Sequence, residues 1–91
     1  METESTLDQK PSAERKFAEG NARMLTDRAA EAVACYREAA EAGLAAAQLY
    51  LGVCYAHGSG VDKDELAAVV WVRRAAEQGD LEAQVYLGSC Y

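Results

Sequence analysis

The chain has 91 residues, of which 15 are acidic and 9 basic, and its formal charge is −6 at neutral pH. This length allows one domain at most. Its dispersed lysines and arginines do not form the clustered basic surface that nucleic acids and anionic membranes require, and no apolar run approaches the roughly 20 residues of a membrane-spanning helix.

The first residues of the chain are polar and acidic, beginning Met1-Glu2-Thr3-Glu4. A secretory signal instead has a basic start followed by an apolar stretch. The sequence therefore predicts a cytoplasmic protein that neither inserts into a membrane nor binds nucleic acid.

The first half of the chain predicts a tail followed by one pair of helices. Residues 1–11 show no periodicity and end at the only proline, Pro11, so we expect a disordered tail there. Helices are expected over about 13–25 and 28–42, with Asp27 capping the second one. Gly43 can take the left-handed conformation that ends a helix. Residues 12–43 thus form the first predicted helix pair.

The second helix pair is predicted over 44–79. Its first helix, about 44–57, carries Ala47, Leu51 and Tyr55 on one apolar stripe. A glycine-containing loop follows, and Asp62 with Glu65 forms a capping box that opens a helix of about 63–78. Residues 80–91 are expected to begin a third pair, whose first helix is still running at the last residue.

An internal repeat is the most informative feature of the sequence. Shifting the chain by 36 residues aligns 32–55 with 68–91, and 14 of the 24 aligned pairs are identical. Repeats of this period mark arrays in which each unit buries its apolar face against its neighbours. No alternating pattern typical of strands persists. The prediction is an all-α fold of antiparallel helix pairs, with about five helices and the last one unpaired.

The repeated residues resemble the Sel-1-like repeat over about 44–91, and residues 13–43 resemble the related tetratricopeptide repeat. The Sel-1-like pattern is carried by Ala47, Leu51, Gly52, Tyr55, Gly58, Gly60 and Val61, then by Ala68, Trp71, Ala75, Ala76, Gly79, Asp80, Ala83 and Gln84. The tetratricopeptide pattern is carried by Gly20, Ala32, Tyr36 and Ala39. The resemblance implies a right-handed α-solenoid, and it implies that Gly20, Gly52 and Gly88 let paired helices approach closely.

The resemblance also implies a protein–protein interaction scaffold or adaptor with no catalytic activity and no cofactor or metal. In such repeats the first helix of each pair lines a concave face, on which a partner peptide or helix lies. By register the candidate partner-binding residues form an apolar strip with acidic ends. They are Glu14, Phe17, Asn21, Met24, Leu49, Val53, Val85 and Ser89.

The cysteines bear on a remote enzymatic alternative. A cysteine-rich branch of the same repeat family is linked with β-lactam binding or hydrolysis and carries two bridged cysteines in each repeat. Here Cys54 and Cys90 hold equivalent places, so each repeat has one. Stacked helices lie about 8–10 Å apart, farther than a disulfide spans. We therefore expect reduced, buried thiols.

The C-terminal end leaves two interpretations open. Tyr91 aligns with Tyr55, after which a loop and a second helix would be expected. Either the chain is the N-terminal part of a larger repeat protein whose activity lies elsewhere, or it self-associates through its C-terminal helix.

Overall fold

The computed structural model describes the backbone of residues 2–90 and the side chains of residues 13–88. Within these residues there are five helices and no strand, which confirms the all-α solenoid of helix pairs. The helices are α1 (Glu2–Leu25), α2 (Ala29–Glu41), α3 (Ala45–His57), α4 (Glu65–Glu77) and α5 (Leu81–Cys90). None of the helices in this part of the chain combines the length and apolar character needed to cross a membrane.

Helix α1 begins at Glu2, whereas the sequence predicts a tail over 1–11. The helix continues through Pro11, although a proline there removes one backbone hydrogen bond and its ring crowds the carbonyl four residues earlier. The residues before it include good helix formers such as Glu, Gln, Leu and Lys. The first residue, Met1, lies outside the described residues.

One recurring turn joins α1 to α2, α2 to α3 and α4 to α5. The amide of Gly43 donates to Ala40 O at 3.0 Å, and the next amide donates to Ala39 O at 3.1 Å. Gly79 makes the equivalent bonds, and both glycines have a left-handed φ, at 100° and 95°. This pattern is the Schellman motif, which satisfies the last carbonyls of a helix. The predicted role of Gly43 and Gly79 is confirmed.

Asp27 occupies the same turn position after α1 and does not cap α2, so that prediction was wrong. Its φ is 67°, and the amide of Arg28 donates to Arg23 O at 2.9 Å. Asp tolerates the left-handed region better than most residues because its short polar side chain bonds locally. Asp27 therefore belongs to the turn that ends α1, and the N-cap position of α2 falls on the next residue, Arg28, whose side chain makes no capping hydrogen bond.

Helix α4 is capped by Asp64, not by the predicted Asp62. The Asp64 carboxylate accepts from the amide of Ala67 at 3.1 Å, and its backbone is extended, as an N-cap requires. The loop after α3 is two residues longer than the sequence predicted, so the N-cap position falls on Asp64. Asp80 caps α5 in the same way, through the amide of Ala83 at 2.9 Å.

Two glycines let the helices of a pair touch. A Cβ placed on Gly52 would lie 2.6 Å from Val72 Cγ2 and 3.0 Å from Ala68 O. A Cβ on Gly20 would lie 2.8 Å from the Tyr36 ring and 3.1 Å from Ala32 O. Tyr36 and Val72 are equivalent in the repeat, so both pairs use the same contact. The core between the pairs is made largely of Ala32, Val33, Tyr36, Ala39, Ala40, Ala47, Leu51 and Cys54.

Candidate binding groove

The first helices of the three units enclose one open, apolar groove of about 1090 Å³. Helix α3 forms its floor, and the C-terminal part of α1 and the N-terminal part of α5 form its walls. Its lining residues are Asn21, Met24, Leu25, Tyr36, Leu49, Tyr50, Val53, Cys54, His57, Ser59, Leu81, Glu82, Val85 and Tyr86.

The walls of the groove are more exposed than its floor. Leu25 on α1 and Leu81 and Val85 on α5 are 87%, 73% and 71% exposed. Leu49 on the floor is buried and belongs to a second core cluster with Val72, Ala75 and Ala83. Large apolar side chains that project around a rigid apolar floor are typical of a surface that binds another molecule.

Three aromatic rings support one end of the groove. The Phe17 ring lies 5.0 Å from the Tyr50 ring and 5.8 Å from the Tyr36 ring, and the two tyrosine rings are 5.7 Å apart. Tilted and edge-on contacts at these separations are the favoured geometry for aromatic pairs. The cluster connects α1, α2 and α3, and it fixes where Tyr50 meets the groove.

Several polar side chains of this region are already partnered. The Tyr36 hydroxyl donates to Asn21 Oδ1 at 2.6 Å, and burial raises the pKa of Tyr36 to about 12. His57 Nδ1 lies 3.0 Å from Val53 O one turn earlier. Among the described residues, no buried side-chain nitrogen or oxygen lacks a hydrogen-bond partner. The groove therefore offers an incoming molecule contact area more than hydrogen bonds.

Five of the candidate partner-binding residues line this groove together. They are Asn21, Met24, Leu49, Val53 and Val85. Phe17 lies beneath the groove, against Tyr50, and Glu14 lies on the exposed surface of α1 outside the lining. The side chain of Ser89 lies outside the described residues.

Sequence reasoning missed several lining residues, chiefly Tyr50, Leu81 and Tyr86. Tyr50 and Tyr86 are equivalent in the repeat, one position after Leu49 and Val85. The register used for the prediction assumed a narrow helical stripe, whereas the apolar face of such a helix spans 100° or more. The recurrence of an identical tyrosine beside each predicted lining residue was the signal available in the sequence.

The groove thiol is not set up for nucleophilic chemistry. Cys54 is buried and unbridged, as is Cys35. Burial raises the pKa of the Cys54 thiol, which keeps it in the unreactive protonated form at neutral pH.

Comparison with known proteins identifies the repeat. The model of the Sel1 repeat matches the chain twice, over residues 20–44 and 45–80. The two matches together cover more than half of the chain. The chain belongs to the Sel1 repeat family. No curated protein sequence matches the chain.

Solved structures of Sel1 repeat proteins share this fold. One is c5321, a protective antigen present in uropathogenic Escherichia coli strains that displays an SLR fold, with 40% identity and a TM-score of 0.83. Another is a Sel1 repeat protein from Oxalobacter formigenes, with 32% identity and a TM-score of 0.83. These matches cover 87% and 90% of this chain, but only 18% and 35% of the other chains.

Two equivalent glutamines make the same side-chain hydrogen bond, which is buried at Gln48 and exposed at Gln84. Gln48 Nε2 donates to Ala40 O at 3.0 Å, and the equivalent Gln84 Nε2 donates to Ala76 O at 3.1 Å. Gln48 Oε1 also accepts from Gln78 Nε2 at 2.8 Å. Each glutamine thus ties the first helix of a repeat to the end of the preceding one, which keeps the helices that line the groove in register.

Proposed function

We propose that this Sel1 repeat protein is a non-catalytic interaction scaffold that binds an apolar segment of a partner protein in the groove between α1, α3 and α5. The observation that carries the proposal is the exposure of Leu25, Leu81 and Val85 around one rigid apolar floor. Sel1 repeats are generally scaffolds of this kind, and protein segments bind such grooves mainly through buried apolar side chains.

The experiment is a selection of phage-displayed peptides on the chain, followed by affinity measurement on two matched variants. Leu81→Glu places a charge in the groove wall, and Leu66→Glu makes the same change on α4, outside the groove. The two leucines are 73% and 82% exposed, and each lies in the first turn of its helix, where a glutamate is tolerated. Both variants should therefore fold.

We expect selected peptides to lose at least about tenfold in affinity with Leu81→Glu, since one well-placed apolar anchor contributes more than about 1.4 kcal/mol. Leu66→Glu should leave the affinity unchanged. Loss of binding with Leu66→Glu alone would place the interaction on the other face of the solenoid. Failure to enrich any peptide would contradict the proposal itself.

A second candidate is self-association through α5. A Cβ on Gly88 would meet nothing within 4 Å among the described residues, although Gly20 and Gly52 each contact a second helix. A helix from another copy could supply that missing contact. Sedimentation equilibrium over a range of concentrations tests this candidate, which requires a dimer in the wild type that Gly88→Leu weakens.

A further inference from the structure

The groove has features that specify the chemistry of the segment it binds, and this inference rests on the proposed function. We infer that the occupant is an amphipathic α-helix with apolar residues on one face and lysine or arginine beside that face. Three features support this inference: the side chains that three helices contribute to the groove, the shortage of free polar groups there and the distribution of charge.

Side chains from three helices meet in the groove, and this arrangement suits a helix lying over α3. Leu25 of α1, Val53 of α3 and Val85 of α5 all line it, and Leu25 and Val85 are largely exposed. A helix with its side chains is about 10–12 Å wide and its apolar face spans 100° or more, so it can contact side chains from more than one of these helices at once.

The shortage of polar groups favours a helix over an extended peptide. An extended segment leaves its amides and carbonyls unpaired unless it binds a free sheet edge or polar side chains. The walls here are helices whose backbone bonds are internal, and Asn21 is already engaged by Tyr36. A helix satisfies its own backbone and needs only apolar contact from the groove.

The charged residues of the groove determine which side chains we expect beside the apolar face of the bound helix. Glu82 is the only acidic or basic residue among those that line the groove, apart from His57, and it makes no ion pair with the described residues. Glu14, which lies farther along the exposed surface of α1, makes none either. The basic residues near the groove helices are engaged elsewhere. Lys16 pairs with Glu19 and Glu38, Arg23 with Glu19 and Glu31, and Arg37 with the Tyr55 hydroxyl.

A protein of net charge −6 with an unpaired carboxylate on its groove wall thus favours a cationic partner. Such complementarity contributes mainly to specificity and to the rate of association. An acidic helix would instead bring a like charge against Glu82 with no cation in the lining to offset it.

Three labelled peptides test the inference on the full chain by fluorescence anisotropy. The first is a helix-forming peptide of about four turns, with leucines at i, i+3 and i+7 and lysines beside them. The second replaces each lysine by glutamate, and the third replaces one central residue by proline. We expect the lysine peptide to bind at least about tenfold more tightly than either of the others.

A pair of charge variants separates the groove from the overall charge of the protein. Glu82→Gln and Glu41→Gln each change the net charge from −6 to −5 by one unit, but Glu41 lies exposed on α2, outside the groove. We expect Glu82→Gln to weaken the lysine peptide about two- to fivefold, the range of an exposed ion pair. Glu41→Gln should weaken it by less than half as much.

Equal binding of the lysine and glutamate peptides, or equal effects of the two charge variants, would overturn the cationic assignment. Equal binding of the proline peptide would overturn the helical one. Failure of all three peptides would reject the inference as a whole. If phage-selected peptides still lost affinity with Leu81→Glu, the proposed groove function would stand without it.

Discussion

At the residue scale, the contacts of small residues decide how the helices pack. Gly52 faces Val72 and the backbone of Ala68, and Gly20 faces the ring of Tyr36. Gly88 occupies the equivalent position on α5 but has open space around it among the described residues. Replacing the glycine should therefore affect stability differently at these equivalent positions, because among the described residues a second helix contacts Gly20 and Gly52 but not Gly88.

Gly52→Ala should destabilise the protein, and Gly88→Ala should not. The added methyl group on Gly52 would meet Val72 Cγ2 at 2.6 Å, and overpacking of this kind costs about 1–3 kcal/mol. Alanine at Gly88 meets nothing and favours the helix by up to about 1 kcal/mol. Thermal unfolding followed by circular dichroism measures both effects as shifts in melting temperature. In a chain of this size each kcal/mol shifts the melting temperature by about 4–8 °C. Equal melting temperatures for Gly52→Ala and the wild type would contradict the close approach of α3 and α4.

The buried hydroxyl of Tyr36 should make stability depend on alkaline pH. Its pKa is raised from 10.0 to about 12 in the folded protein, mainly by burial. Below pH 10 the hydroxyl is protonated in both the folded and the unfolded state, and its full contribution to the free energy of unfolding is present. Between pH 10 and 12 only the unfolded state loses the proton, so stability falls by about 1.4 kcal/mol per pH unit.

Tyr36→Phe removes this titration. The variant should be less stable at neutral pH because it loses the hydrogen bond to Asn21, which contributes about 1 kcal/mol. Because the wild type loses more than this between pH 10 and 12, the variant should equal the wild type in stability at about pH 11 and exceed it by pH 12. Urea unfolding at several pH values measures the difference. A constant difference across this range would show that Tyr36 is not the titrating group.

At the element scale, the ends of helices were harder to predict than the helices themselves. Glycines in left-handed turns were recognised at Gly43 and Gly79 because few other residues adopt that conformation. Aspartates were misassigned because the same side chain can cap a helix, end one, or remain in a loop. Asp27 ends α1, and Asp64 caps α4 in place of Asp62.

Asp64→Ala should destabilise the protein by about 1 kcal/mol, since it removes the acceptor for the amide of Ala67. Asp62→Ala should change stability little, because the carboxylate of Asp62 caps no helix. Chemical denaturation of the two variants compares them at the same net charge. A larger loss with Asp62→Ala would support the capping box expected from the sequence.

At the scale of the whole molecule, the internal repeat made the fold predictable. The shift of 36 residues fixed which helices are equivalent, and Gly52, Leu51 and Ala47 then fell in the contacts between them. The groove was predicted only in part. Repeat register placed Leu49, Val53 and Val85 on one face, but the positions of Leu25, Tyr50 and Leu81 depend on how α1 and α5 lie beside α3. That arrangement is set by tertiary contacts such as the Phe17–Tyr50 pair, which the spacing of residues does not contain.

The groove is therefore the feature on which the functional account depends. It includes equivalent positions of successive repeats, and its floor is shared with the core. Leu51 and Ala47 of α3 pack into the core between the pairs, while Leu49 and Val53 line the groove and also pack in the second core cluster.

The most direct test is the amide ¹H–¹⁵N spectrum of the ¹⁵N-labelled chain, recorded while a peptide selected on the chain by phage display is added. We predict that the largest shift changes will fall on Met24, Leu49, Val53, Leu81 and Val85, with little change at Leu66 and Val70 on α4. Changes centred on Leu66 and Val70 instead, or spread evenly over all five helices, would contradict binding in the groove.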